Sequence, residues 1–216
     1  MKKDYTEICL ILDCSSSMSS IKSAIIEGYN SFIEAQKEVP GECSLALTKF
    51  SDQVEVGSLV GLESVAPLTD QTYVTSGMTA LWKAIVDSCN AMGTRLADTP
   101  EQDRPEKVLV VIITDGKENA SNSTISPSFI KMGHVNADSE PELYTLDKVK
   151  AVIEHQKSKY NWEFMFIGTE NLDVNGISGS MGINHSMVFR QDRIGTQSMY
   201  GELTRSVAAY RSGKDL

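Results

Sequence analysis

The chain contains the stretch Leu10-Ile11-Leu12-Asp13-Cys14-Ser15-Ser16-Ser17-Met18, in which an apolar run ends in one carboxylate and alternating hydroxyls. Short apolar runs followed by small polar residues are typical of a buried strand that enters a loop. Asp13, Ser15 and Ser17 occupy every second position, so a tight loop turns three oxygen atoms toward one point. Magnesium and manganese prefer oxygen ligands, and magnesium takes about six of them. The stretch therefore indicates part of a metal site. A plain helix cap is the alternative, since Ser and Asp are favoured there.

Two later stretches offer the additional oxygens that such a site needs. Gly77-Met78-Thr79-Ala80-Leu81 places a hydroxyl at the start of a helical pattern. Val110-Val111-Ile112-Ile113-Thr114-Asp115-Gly116 places a second carboxylate at the end of another apolar run. Taken alone, Asp115-Gly116 is equally typical of a turn. The candidate ligands are thus two carboxylates and three hydroxyls: Asp13, Ser15, Ser17, Thr79 and Asp115.

The apolar periodicity predicts strands that alternate with helices. Six strands are expected, at residues 6–13, 43–50, 54–60, 108–114, 162–168 and 187–190, and the first helix is expected to be capped by Ser19 or Ser20. Such alternation predicts an α/β fold, a doubly wound, mostly parallel six-stranded sheet with helices on both faces. Residues 54–60 are expected as one antiparallel edge strand. Ligands of open sheets bind beyond the carboxyl ends of the strands, where Asp13 and Asp115 are both expected.

The composition predicts a globular protein with one domain over residues 1–216. Hydrophobic residues make up 41% of the chain, and the net charge is −9. This charge disfavours binding to nucleic acid or to an anionic membrane. The first residues show no cleavable apolar segment, and the four cysteines form no CxxC pair. We therefore expect a cytoplasmic protein with reduced thiols.

The pattern Asp13-x-Ser15-x-Ser17, then Thr79, then Asp115-Gly116 resembles the metal-ion-dependent adhesion site (MIDAS) of von Willebrand factor type A (vWA) domains. The elements occur in the family's order, and the resemblance spans about residues 5–211. It implies a vWA, Rossmann-like fold in a bacterial or phage protein that is little more than this domain. It also implies that these five residues hold Mg²⁺ or Mn²⁺. A protein partner would complete the metal shell with an Asp or Glu.

Two positions depart from that family. Ser16 and Met78 stand where glycine is common, and neither change removes a ligand. The expected function is metal-dependent protein binding without catalysis. The alternative is a metal-assisted hydrolase or phosphatase, although Ser15 stands where aspartate-nucleophile phosphatases carry a second acid, and no G-x-S-x-G elbow is present. A third hypothesis is an assembly scaffold whose metal site has lost its role.

Residues 117–144 form a long polar connection with many turn-forming residues. Connections of this length are unusual in compact domains and often carry function. Because this one directly follows Asp115, we expect an insertion loop near the metal edge. It is either a partner-specificity element or a plain surface insertion.

Overall fold

The computed structural model describes residues 1–122 and 143–216, in which strands and helices alternate. The strands are β1 (Lys2–Asp13), β2 (Glu42–Phe50), β3 (Val54–Val56), β4 (Val60–Gly61), β5 (Pro105–Thr114), β6 (Glu163–Thr169) and β7 (His185–Phe189). The helices are α1 (Lys22–Lys37), α2 (Leu81–Asp98), α3 (Leu146–Tyr160), α4 (Val174–Ser180) and α5 (Arg193–Arg211). Short 3₁₀ turns cover Ser16–Ile21, Leu62–Ser64 and Glu101–Asp103. None of the described helices combines the length and the apolar character needed to cross a membrane.

The strands form one seven-stranded sheet in the order β3-β2-β1-β5-β6-β7, with β4 also paired to β2. Strands β2, β1, β5, β6 and β7 run parallel to one another. Strands β3 and β4 both run antiparallel to β2. The predicted α/β class, with a mostly parallel sheet and an antiparallel edge, is confirmed.

The sheet has seven strands instead of six because the expected edge strand at 54–60 is divided. Val56 pairs with Thr48, whereas Val60 pairs with Leu45. Between these pairs the Gly57 N–H donates to the Leu47 carbonyl at 3.1 Å. A Cβ atom on Gly57 would lie 2.3 Å from that oxygen, so only glycine permits this approach. The chain then leaves the ladder, and the edge remains as two short pieces, as is common for exposed sheet edges.

The core lies in two layers, one on each face of the sheet. Alternation along β1 directs Ile8, Leu10 and Leu12 into the layer that contains the buried residues of α1 and α5. Cys9 and Ile11 point into the opposite layer, with the buried residues of α2 and α3. The central strands are buried on both faces, as expected for a parallel sheet covered by helices.

The start of the first helix differs from the prediction. Neither Ser19 nor Ser20 caps α1, which begins at Lys22 and has no side-chain cap at Ile21. The Ser19 hydroxyl instead donates to the Ser16 carbonyl at 2.6 Å, within a 3₁₀ turn. The serine cluster therefore belongs to the loop after β1, which leaves Ser15 and Ser17 available for the site described next.

Candidate metal site at the carboxyl edge of the sheet

The two candidate carboxylates lie at the ends of neighbouring strands. Asp13 is the last residue of β1, and Asp115 directly follows β5. Because β1 and β5 are parallel and Leu12 lies opposite Ile113, both strands end at the same edge. Asp13 is fully buried (0% exposed), and Asp115 is 7% exposed. The fold thus brings two distant acids to one buried place.

Asp13 is held at both carboxylate oxygens by neutral donors. The Ser15 N–H donates to Oδ1 at 2.7 Å, and the Thr114 hydroxyl donates to Oδ2 at 2.6 Å. Thr114 is the residue before Asp115, so the first acid is hydrogen-bonded to the strand that carries the second. The buried Tyr73 hydroxyl donates to the Asp13 carbonyl at 2.6 Å and fixes the end of β1 from the other side.

The serine hydroxyls connect the two acids. Ser15 Oγ lies 3.1 Å from Ser17 Oγ. The Ser17 hydroxyl donates to Asp115 Oδ1 at 2.6 Å, across 98 positions of sequence. Four of the five candidate residues, Asp13, Ser15, Ser17 and Asp115, therefore form one continuous chain of contacts.

Thr79, the fifth candidate, lies beside the residue that follows Asp115. Its Oγ1 is 3.0 Å from the position that a Cβ on Gly116 would take, so any larger residue at 116 presses on this hydroxyl. Within the described residues, no hydrogen bond engages the Thr79 hydroxyl. Its backbone is fixed by Asn119: the Thr79 N–H donates to Asn119 Oδ1 at 2.7 Å, and the Asn119 N–H donates to the Thr79 carbonyl at 3.0 Å. The fold thus holds an unengaged oxygen at this edge.

The loop that precedes Thr79 is attached to the loop after β1. The Ser76 N–H donates to the Cys14 carbonyl at 2.9 Å, and the Ser16 N–H donates to the Gly77 carbonyl at 3.1 Å. Gly77 has a φ of +72°, a conformation that side chains rarely adopt, and its Cβ would also overlap Asp52. This glycine lets the chain turn just before Thr79 while its own carbonyl stays bonded to the serine loop.

The residues after Asp115 cap the helix that follows Thr79. Glu118 Oε2 accepts from the Trp82 N–H at 2.8 Å, and Ser121 Oγ accepts from the Lys83 N–H at 2.9 Å. These are free N–H groups in the first turn of α2, which has no cap of its own at Ala80. The cap ties the Asp115 segment and the Thr79 segment together at the site.

Burial raises the pKa of Asp13 from 3.8 to about 6, although the hydrogen bonds from Thr114 and Ser15 oppose the shift and the nearby Asp115 charge adds to it. Burial also raises the pKa of Asp115, against the hydrogen bonds from Ser17 and Gln191. Within residues 1–122 and 143–216, neither acid forms an ion pair with Lys or Arg. Two adjacent buried carboxylates without a cation are electrostatically incomplete, and a divalent ion would compensate them.

The donor set fits a cation that prefers oxygen. In the described part of the chain, no three His, Cys, Asp or Glu side chains come together as a metal-binding group. The donors at this edge are instead two carboxylates and three hydroxyls, the oxygen types that Mg²⁺ and Mn²⁺ accept.

Sequence reasoning missed four contributors to this edge: Thr114, Tyr73, Asn119 and Gln191. Thr114 gives a signal in hindsight, because a hydroxyl at the end of a buried strand needs a partner. Gln191 gives none, because it lies 76 positions beyond Asp115, whose Oδ2 accepts from its amide. Gln191 and Asp115 come together only because of the order of the strands in the sheet.

The insertion predicted at 117–144 lies largely outside the described residues. Its described ends meet: Asn122 Nδ2 donates to the Tyr144 carbonyl at 2.8 Å, and the Tyr144 N–H donates to Asn122 Oδ1 at 2.9 Å. Tyr144 also donates from its hydroxyl to Asp87 of α2 at 3.0 Å. Both ends of the connection are therefore fixed beside α2.

Comparison with known proteins gives matches of structure only. No family profile and no curated protein sequence matches the chain. A point mutant of the PilB minor pilin from Streptococcus sanguinis is similar with a TM-score of 0.64 and 12% identity, over 97% of this chain and 63% of the pilin. A von Willebrand factor type A protein from Catenulispora acidiphila has a TM-score of 0.60 and 14% identity, over 94% of this chain and 43% of that protein.

The vWF domain of the type V pili tip protein Mfa5 from Porphyromonas gingivalis is similar over almost the full length of both chains, 98% and 97%, with a TM-score of 0.58 and 8% identity. The chain spans less than two thirds of the PilB pilin and of the Catenulispora protein. At such low identities the likeness concerns architecture, and it agrees with the strand order and helical layers described above. The chain therefore has a fold like that of von Willebrand factor type A domains.

Proposed function

We propose that the chain is a protein-interaction module that binds a partner through a divalent cation. Asp13, Ser15, Ser17, Thr79 and Asp115 would hold Mg²⁺ or Mn²⁺. The observation that carries the proposal is the contact chain from Ser15 through Ser17 to Asp115, with buried Asp13 beside it. This arrangement gathers hard oxygen donors around two acids that pair with no cationic side chain of residues 1–122 and 143–216.

The protein's own residues prepare the site in distinct ways. Because the Ser17 hydroxyl gives its proton to Asp115, Ser15 is the donor in the contact between the two serine hydroxyls. One lone pair of Ser17 and both lone pairs of Ser15 therefore remain free for a cation. Asp13 fixes the Ser15 backbone, and Thr114 fixes Asp13. A cation held by these residues would supply a positive centre, to which a carboxylate oxygen from a partner's Asp or Glu could bind. The chain itself offers few oxygen ligands, and Ser17 is exposed to solvent. A ligand from a partner therefore has room to reach the ion.

Two of the similar structures are those of a minor pilin and of a pilus tip protein. Binding to another protein is the role that we carry over to this chain. The net charge of −9 supports a protein partner over nucleic acid or an anionic membrane.

Capture of a partner in the presence and absence of metal tests the proposal. Immobilised wild-type protein should retain a specific protein in Mg²⁺ and release it in EDTA, and Asp115→Asn should retain none. Asp70→Asn is the matched control, because Asp70 is an exposed rim aspartate paired with Lys22. Replacing the responsible Asp or Glu of the captured protein should also abolish retention. Retention that survives both EDTA and Asp115→Asn would select a scaffold role instead.

The enzymatic alternative has a separate test. Turnover of p-nitrophenyl phosphate and p-nitrophenyl acetate should be absent in Mg²⁺. Turnover that disappears in Asp13→Ala would favour a metal-assisted hydrolase. Among the described residues, Ser15 and Ser17 form hydrogen bonds with each other, with the side chains of Asp13, Ser20, Asp115 and Gln191, and with the neighbouring backbone. None of these partners is a histidine that could act as a base.

A further inference from the structure

Gln191 reaches the site from the turn that follows a third strand, β7. It lies in the turn between β7 and α5, where its backbone N–H donates to Glu170 Oε2 at 3.0 Å. From this fixed position its side-chain amide donates to Asp115 Oδ2 and, at 3.4 Å, to the Ser17 carbonyl. The loops after β1 and β5 and the turn after β7 therefore meet at one amide group.

The Gln191 contact determines how Asp115 is oriented. Ser17 occupies Oδ1 of this carboxylate, and Gln191 occupies Oδ2. With a donor at each oxygen, rotation of the carboxylate would break at least one hydrogen bond. Asp115 is thereby held with Oδ1 toward the serine loop.

The chemistry of an amide suits this place better than that of a cationic side chain. A Lys or Arg here would neutralise Asp115 and repel a divalent cation. The neutral amide donates a hydrogen bond and leaves the negative charge of the carboxylate in place. Gln191 can thus orient the acid without competing with an ion for its charge.

We propose that Gln191 is a positioning residue of the metal site, which acts by holding the Asp115 carboxylate. This inference rests on the proposed function, since it assumes that the site binds a cation. Residues that orient metal ligands from outside the ligand set typically change metal affinity by about 10- to 100-fold when they are replaced. We expect an effect at the lower end of that range, because Ser17 still holds the other oxygen.

A purely structural role of Gln191 predicts a different result. If Gln191 only attaches the β7–α5 turn to the Ser17 loop, its loss lowers the stability of the metal-free protein and leaves metal affinity unchanged. The two roles separate when affinity and metal-free stability are measured on the same variants. A double-mutant cycle with Asp115 then shows whether the effect passes through that acid.

The experiment titrates Mn²⁺ by electron paramagnetic resonance into wild type, Gln191→Ala, Asp115→Ala and the double variant, and records their melting temperatures in EDTA. Gln71→Ala is the control, an exposed glutamine on the same side of the molecule as Lys22 and Asp70. Gln191→Ala should weaken Mn²⁺ binding about 10-fold in the wild-type background and by less than about twofold in Asp115→Ala. Its melting temperature in EDTA should match that of Gln71→Ala.

Equal losses in both backgrounds, or unchanged affinity with a lower melting temperature, would overturn the positioning role alone. If wild type itself binds no Mn²⁺, the proposed function fails, and this inference fails with it. The outcomes therefore distinguish an error about Gln191 from an error about the metal site.

Discussion

Two buried carboxylates on the same strand, Glu7 and Asp13, have opposite environments. Glu7 is 1% exposed, and both of its oxygens accept from the guanidinium of Arg95 on α2, with a further bond from the Tyr5 hydroxyl at 3.0 Å. Asp13 is 0% exposed, and in the described part of the chain its carboxylate accepts from neutral donors, the Thr114 hydroxyl and the Ser15 backbone N–H. One acid has its cation inside the protein, whereas the other has none among the described residues.

The difference distinguishes an acid that is neutralised within the fold from an acid that the proposed metal site would use. A buried charge is tolerated only when it is paired or coordinates a metal. Arg95 provides the pairing in the middle of β1, where no ligand is expected. At the carboxyl end the positions that a cationic side chain would occupy hold Ser15, Ser17 and Thr114. Asp13 is therefore suited to a cation from solution.

The largest effect is expected for Arg95→Ala, which leaves Glu7 buried without its partner. Removing one member of a buried ion pair commonly costs about 3–5 kcal/mol. We expect about 3 kcal/mol, because the Arg95 side chain is 36% exposed and water can enter the vacated space. Urea denaturation measures the loss, and the Mn²⁺ affinity should stay at the wild-type value. A change in affinity would show that the environments of Glu7 and Asp13 are not independent.

The next effect has the opposite sign: Asp13→Asn should stabilise the metal-free protein at neutral pH. The pKa of Asp13 rises from 3.8 to about 6, which corresponds to about 3 kcal/mol of unfavourable ionisation in the fold. We expect a gain of about 2 kcal/mol, because an amide accepts weaker hydrogen bonds than a carboxylate. Thr114 can adapt by donating to the Gly116 carbonyl, 3.2 Å away, while it accepts from the new amide.

Denaturation in EDTA checks this gain, and the same variant should lose the stabilisation that Mg²⁺ gives to wild type. An Asp13→Asn protein that is less stable than wild type in EDTA would contradict the view that this acid is uncompensated.

The pH dependence sharpens the same comparison. In the metal-free fold Asp13 stays protonated up to a pKa of about 6, whereas in the unfolded chain it ionises near 3.8. Between these values the folded state binds the additional proton, so stability falls as pH rises. The advantage of Asp13→Asn should accordingly be small at pH 4 and reach its full size by pH 7. Saturating Mg²⁺ should reverse the wild-type trend, since the ion needs the charged acid. A stability difference that is constant with pH would assign the gain to packing.

The smallest effect is expected for Gly116→Ala. The new Cβ would lie 3.0 Å from Thr79 Oγ1, so this hydroxyl must move by a few tenths of an ångström. Gly116 is not among the glycines with positive φ, so alanine adds no backbone strain. We expect a loss in Mn²⁺ affinity of about 1 kcal/mol, a few-fold, with little change in stability. Gly61→Ala is the control, because its Cβ meets nothing within 4 Å. Equal affinities for the two variants would remove Thr79 from the site.

The sequence predicts the parts of this molecule that depend on local pattern. The apolar runs that end in Asp13 and Asp115 locate two central strands, and the polar residues after them locate the carboxyl edge. It does not reveal that Glu7 pairs with Arg95, 88 positions away, or that Gln191 reaches Asp115, because strand order and helix packing create these contacts. The prediction that Ser19 or Ser20 caps the first helix was wrong for a related reason. The loop after β1 tightens into a 3₁₀ turn, which uses those serines before α1 begins.

Counting the ions bound by wild type and by Asp13→Asn at pH 7.5 is the most direct test of the claim that the carboxyl edge is prepared for a cation. Titration with Mn²⁺, read by electron paramagnetic resonance and competed with Mg²⁺, should give one ion per wild-type chain and no saturable binding in Asp13→Asn. Equal binding by the two proteins, or none by wild type, would contradict it.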